Sequence, residues 1–273
     1  MTSRRLSVSI PVVLVGLAFA ACLLPPAPAG AALVSRYDFE DSATPGKDSA
    51  GSHDGTVFGG AALTADSRVG SAAMAFTPPG DVRIPYHSDF DVSTFSISAW
   101  VKIAVEQNNG GILGTRFSGD TTFDVKVRAS DVHGDVGHGG GWIDTNVDIR
   151  ATDTGSNGQG GDLPHDTWQM ITYVIDDGAK QFRLYIDDDL KRTIGYTRTP
   201  RLMKPGQEMR IGNSSGTEYL NGILDDVRIY DHALSQAEID ALVIKVPEPA
   251  TFVLAGLALA GLGGYARRRR LGA

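Results

Sequence analysis

Thiol chemistry is all but missing from this chain. The one cysteine, Cys22, lies in an N-terminal apolar run, so no disulfide is available and the fold has to stand on core burial alone. Basic residues are also in deficit: 25 Lys and Arg face 32 Asp and Glu, a net charge of −7. Several of the arginines (Arg4, Arg5, Arg267, Arg268, Arg269 and Arg270) sit at the two ends, which leaves the stretch between them more acidic still. Phosphate binding needs a basic face, so nucleic acid is excluded as a partner. Apolar repeats at helical spacing are nearly absent between the ends. Neither of the longest apolar runs, residues 10–24 and 252–266, reaches the ~20 residues that cross a bilayer comfortably.

What the two ends do contain is address-like. Arg4 and Arg5, an apolar run, the Pro25-Pro26 pair and Ala29-Gly30-Ala31 follow the order of a secretory signal with an A-x-A cleavage site. This places a signal peptide over 1–31. The alternatives are a lipoprotein modified at Cys22, although Phe19 fits a lipobox poorly, and a buried first helix, which Pro25-Pro26 disfavours. At the other end, Val246-Pro247-Glu248-Pro249 precedes a Gly/Ala-rich apolar run and then four arginines. Those arginines would stay cytoplasmic and leave the middle of the chain facing outward.

Residues 32–244 read as β structure with period-two alternation and frequent turns. Tyr37 and Phe39 share one face of a first strand. Phe95, Ile97, Ala99, Val101 and Ile103 point inward from another, and Phe123, Val125 and Val127 from a third. Further strands are expected at 168–175, 181–186, 209–212 and 223–230, with Asp177-Gly178 as a hairpin turn. Ser235 followed by Glu238 is a capping box for one terminal helix. The expected fold is all-β: a two-sheet antiparallel jelly-roll sandwich, with an N-terminal signal helix and a short C-terminal transmembrane helix. The Gly, Asp and His-rich stretch 130–165 reads as long surface loops.

Two resemblances follow from these residues. V-P-E-P, a short apolar helix and an Arg cluster resemble the PEP-CTERM sorting signal of Gram-negative bacteria, here over 245–273. That resemblance implies processing by an exosortase, with Pro247, Glu248 and Pro249 as the recognition motif and Arg267 to Arg270 as the basic end. It also implies transient residence in a membrane, then display at the cell surface or in the extracellular matrix; an ordinary single-pass anchor is the alternative. Y-D-F-E-D and D-S-A-G-S-H-D-G-T-V within 37–57, F-S-I-S-A-W-V-K at 95–102, W-Q-M-I-T-Y-V with F-R-L-Y-I-D within 168–187 and G-I-L-D-D-V-R-I-Y-D-H-A-L-S-Q-A-E-I at 222–239 resemble the laminin-G-like, concanavalin A-like lectin/glucanase family. This resemblance implies a lectin-like sandwich. It also implies a structural Ca²⁺ held by Glu40, Asp48 and Asp225, with Asp226 as a substitute.

The glucanases of that family cut glycosidic bonds with two glutamates four or five residues apart on one strand. This chain has Glu40, Glu106, Glu208, Glu218, Glu238 and Glu248, none closer to another than ten residues. The expectation is therefore no catalysis, but binding of a glycan or exopolysaccharide or adhesion, with a purely structural matrix or spacer role as the first alternative and a glycoside hydrolase as the second. Trp142 is the expected exposed aromatic platform, followed by Tyr196 and Tyr219, whereas Trp100 and Trp168 are expected in the core. His133, His138 and His165 match no metal spacing and read as loop residues. Gly212-Asn213-Ser214-Ser215-Gly216 matches G-x-S-x-G but lacks the following helix of a nucleophile elbow, and Gly137–Gly141 lacks the Lys and helix of a phosphate loop. Signal-peptide cleavage should leave Ala32 as the first residue of the exported protein; intact-mass measurement or N-terminal sequencing checks this.

Overall fold

The computed structural model describes residues 32–117, 121–129, 131–143, 149–150 and 163–243. The expected signal helix, transmembrane helix and sorting residues (Pro247, Glu248, Pro249 and Arg267 to Arg270) lie outside them. Among the described residues no helix is long and apolar enough to cross a membrane.

Thirteen strands occur among the described residues: β1 Leu33–Tyr37, β2 Thr56–Thr64, β3 Ala73–Pro85, β4 Phe95–Ile103, β5 Gln107–Gly114, β6 Phe123–Ala129, β7 Asp131–Val136, β8 Ile149–Arg150, β9 Gln169–Asp176, β10 Gln181–Ile186, β11 Asp189–Gly195, β12 Glu208–Ile211 and β13 Gly222–Tyr230. All named pairings are antiparallel, and the hydrogen-bonded path runs β11-β10-β9-β4-β13-β3-β12-β5-β6-β7-β8, with β1 on β13 and β2 on β3. The two expected layers are thus the two limbs of one ladder that curls on itself. The corner is β3. Its first residues pair with β13 and its last with β12. Between them, at Pro78-Pro79, the register against β2 shifts by way of Gly59 and Gly60. Gly59 has φ +63°, and a Cβ there would overlap the Pro79 carbonyl. Proline cannot donate to a ladder and is found in sheets at edges and bulges, so this ribbon bends where it does.

Alternation makes the core. Phe95, Ile97, Ala99, Val101 and Ile103 of β4 join Ile171, Tyr173 and Ile175 of β9 and Phe123, Val125 and Val127 of β6 in one buried cluster. The limbs meet through aromatic edges: Phe95 to Phe123 at 5.5 Å and Phe123 to Tyr173 at 5.3 Å between centroids. Gly134 of β7 leaves the room that the Tyr173 ring fills. On the far side of the first limb, Val174, Tyr185 and Tyr230 pack under Leu234 and Ile239, the latter in the helix α1, Gln236–Val243. The capping box forms in both directions: Ser235 N donates to Glu238 Oε2 at 2.8 Å, and Glu238 N donates to Ser235 Oγ at 3.4 Å.

Three expectations need correction. The 130–165 stretch is not all surface loop: β7 is inside the sheet, and His133, on that strand, is 3% exposed. The Asp177-Gly178 turn spans four residues, because Asp176 pairs with Gln181. Trp168 is half-buried rather than core, while Trp100 is buried as expected. Truncation of Phe123 to Ala removes the ring that joins the limbs. It should cost about 3–5 kcal/mol, read as a lower midpoint in urea unfolding.

Candidate functional site: an arginine and aromatic groove

The outer face of the second limb is built by register. Thr56 of β2, Arg83 of β3, Arg210 of β12 and Gly114 of β5 lie in one row across four strands, and Phe58 pairs with Asp81 in the row beside it. Val57, Val82, Ile211 and Leu113, one residue along, turn inward. Asp81 is buried beneath the two arginines: its carboxylate accepts from Arg83 Nε at 2.9 Å and from Arg210 Nη1 at 3.3 Å. Glu208 accepts from Arg210 Nε at 2.7 Å. The Arg83 guanidinium lies 4.2 Å from the centre of the Phe58 ring, and that of Arg210 4.0 Å from Phe117. Phe58 is 41% exposed. Phe58, Tyr86 and Phe117, with Arg83 and Glu208, line an open groove of about 550 Å³.

The pattern extends along the limb. Arg116 stands 5.4 Å from the Trp142 ring, while it also pairs with Asp124 at 2.7 Å and Glu218 at 2.8 Å. Trp142 is half-buried and held by a bridge to Gly137. Tyr219 is half-buried and bridges Gly111 and Asn213. Tyr196 is a correction: it is 6% exposed, stacked on Phe182 at 4.3 Å, and its hydroxyl donates to Asp177 at 3.3 Å, so its ring is buried rather than offered to solvent. Phe58 and Phe117 were missed. Phe58 sits in a Gly-rich strand with no clean alternation, and Phe117 follows a strand that was not recognised. Serines 214 and 215 lie in a turn, as expected, and Ser214 Oγ donates to Glu218 at 2.7 Å.

The four expected calcium ligands are distributed over three places. Asp48 Oδ1 accepts from the backbone of Arg36, Ala50 and Gly51, and Oδ2 from that of His53. Burial alone would raise its pKa, but these donors outweigh burial and hold it below the ordinary value. Asp226, in a bulge of β13 with φ +49°, pairs with Arg36 and Arg228. Glu40 and Asp225 meet one loop: Glu40 accepts from Ser71 and Ala72, and Asp225 Oδ2 from Arg68 and Val69 at 2.7 and 2.8 Å. Asp225 Oδ1 is buried with no hydrogen-bond partner among the described residues, an acceptor of the kind a hard cation takes.

Residues 79–240 match the Concanavalin A-like lectin/glucanases superfamily, and the chain belongs to it. Residues 245–270 match the PEP-CTERM protein-sorting motif. A stretch of 161 residues is 24% identical to Adhesion G-protein coupled receptor V1 of Danio rerio, covering 55% of this chain but 2% of that protein. Domain 4 of AbnA, a GH43 extracellular arabinanase from Geobacillus stearothermophilus, solved with arabinotriose, superposes with a TM-score of 0.60 at 20% identity, over 78% of this chain and 98% of that one. The ligand binding domain of botulinum neurotoxin serotype D, solved with N-acetylneuraminic acid, superposes with a TM-score of 0.57 at 14% identity, over 77% of this chain and 50% of that one.

Burial raises the Asp225 pKa to about 6, against ~3.9 for an unfolded aspartate. The folded state therefore holds the extra proton between these values, and stability falls as pH rises from about 4 to 6. Asp225→Asn should flatten this fall by of order 2 kcal/mol; denaturant unfolding of both proteins across that range checks it.

Proposed function

We propose that this protein is an exported, non-catalytic glycan-binding module, sorted to the envelope of a Gram-negative bacterium through its C-terminal motif. The observation that carries the reading is the groove of Phe58, Tyr86 and Phe117 beside Arg83 and Glu208. A pyranose or furanose ring offers C–H faces to an aromatic ring and hydroxyls to charged groups at its edge. Here the polar groups are already oriented: Asp81 and Glu208 hold both guanidinium planes, so little side-chain entropy remains to be lost on binding. The sugars with which the two structural neighbours were solved, arabinotriose and N-acetylneuraminic acid, accord with this reading. Trp142 beside Arg116 would lengthen the same band for an extended chain such as an exopolysaccharide.

The tail completes the proposal. An exosortase would act near Pro247, Glu248 and Pro249 while the apolar run rests in the membrane, and display or release would follow. The absence of a paired-glutamate motif supports binding over hydrolysis. Ca²⁺ enters as a structural ion that Glu40 and Asp225 would hold against the 68–72 loop, bringing a positive charge to the unpartnered Asp225 oxygen. A glycan array probed with the full chain should give binding that Phe58→Ala or Phe117→Ala weakens about 10-fold or more, near 1.4 kcal/mol. No reducing sugar should be released from the bound polymer. Unchanged binding in both variants would overturn the groove, and no binding to any glycan would favour a purely structural matrix role.

A further inference from the structure

A second constellation lies at the end of the β2–β3 ribbon where β2 begins and β3 finishes, where the loop ahead of β2 meets the 3-10 turn Ser88–Phe90 that follows β3. His53 Nε2, His87 Nδ1 and Asp89 Oδ2 form a triangle with all three sides at 3.2 Å. Tetrahedral coordination with metal–ligand bonds near 2.0–2.1 Å places neighbouring ligand atoms about 3.3–3.4 Å apart. The triangle is therefore already at coordination size.

The hydrogen bonds around the triangle turn lone pairs toward its centre. His53 Nδ1 lies 3.2 Å from Asp48 Oδ2 and 3.0 Å from Ser35 Oγ. Asp48 is an acceptor for four backbone amides, so the imidazole donates Nδ1–H to it and turns the bare Nε2 toward the triangle. His87 Nδ1 accepts from the backbone N–H of Asp89 at 3.3 Å, which marks it as bare too. The third corner is a carboxylate oxygen. Three lone-pair atoms at 3.2 Å repel one another unless a metal cation or a shared proton sits between them. The carboxylate behind His53 is the outer-shell partner that orients metal-bound histidines. Tyr37 and Phe90 pack the rest of the His53 ring into place: Tyr37 donates to the His53 carbonyl at 2.7 Å, and Phe90 stands 4.7 Å from the ring.

We propose that His53, His87 and Asp89 form a three-ligand site for a divalent transition metal, with Zn²⁺ the ion it fits. His53 is buried, whereas the side chains of His87 and Asp89 are half-exposed, so the fourth position opens to solvent and a water completes the shell. Two imidazoles and one carboxylate select against Ca²⁺, which takes oxygen ligands. The ion would pin the loop ahead of β2 to the turn after β3, in a chain that has no disulfide to do so.

The full chain, without an affinity tag and kept soluble in mild detergent, should bind one equivalent of Zn²⁺ by calorimetry and melt at a higher temperature when loaded. Co²⁺ should give the intense visible bands of a tetrahedral site. His87→Ala and Asp89→Asn, both at exposed positions, should each weaken Zn²⁺ binding about 100-fold or more and remove the Co²⁺ bands. Their melting temperatures without metal should stay at the parent value. His232→Ala, which removes a histidine outside the triangle, should bind as the parent does. No Zn²⁺ binding by the parent chain, or equal affinity in His87→Ala and the parent, would overturn the site and leave a proton-shared histidine cluster in its place.

Discussion

The inner faces of a curled ladder have to close on each other, and the rest of this molecule is arranged around that contact. Phe123 sits between Phe95 and Tyr173, so one ring from the second limb meets two from the first. Gly134 makes the approach possible, because a side chain there would occupy the space of the Tyr173 ring. In a chain with no disulfide available, this burial is what offsets the entropy of ordering a long chain. It also commits every second residue of the central strands to the interior, and so pushes polar chemistry to the outer faces and to the strand ends.

The two outer faces are used differently. On the first limb, Ser96 and Ser98 are buried, and Ser96 Oγ ties down the segment before α1 by donating to His232 O and accepting from Leu234 N. That part of the face is a packing surface. On the second limb the outward residues are arginines over aromatic rings, with buried carboxylates beneath. A buried carboxylate costs stability unless it is paired, and Asp81 and Asp124 each meet two cations. The same pairing that keeps them tolerable inside the sheet holds the guanidinium planes in position. Rigidity of the surface is therefore a by-product of satisfying the layer below it.

Some of this was legible in advance. Phe95–Ile103 and Gln181–Ile186 are strands with the expected bounds, because strict alternation of large apolar residues has one good solution at a sheet surface. The capping box worked because it is a local hydrogen-bond exchange. By contrast β3 was not legible: Pro78-Pro79-Gly80 reads as a break, yet the strand continues because β2 bulges to match it. Likewise β7 hides in a stretch rich in Gly, Asp and His, since its outward polar residues are covered in the fold. Tyr196 failed as a platform because Phe182 stacks on it, and Phe58 and Phe117 were overlooked because exposure depends on what packs nearby.

By itself the sequence determined the sorting motif near the C-terminal end, the β class, the inward set of each regular strand, the terminal helix and the absence of paired glutamates. These are properties of neighbouring residues, set by side-chain alternation, local hydrogen bonds and composition. Only the tertiary structure decided which aromatics face solvent, that Arg83 and Arg210 share Asp81, and that His53 meets His87 and Asp89 across more than thirty residues. Such meetings depend on how β2 and β3 pair and where their ribbon bends, and strand register is a long-range quantity that no short window of sequence contains.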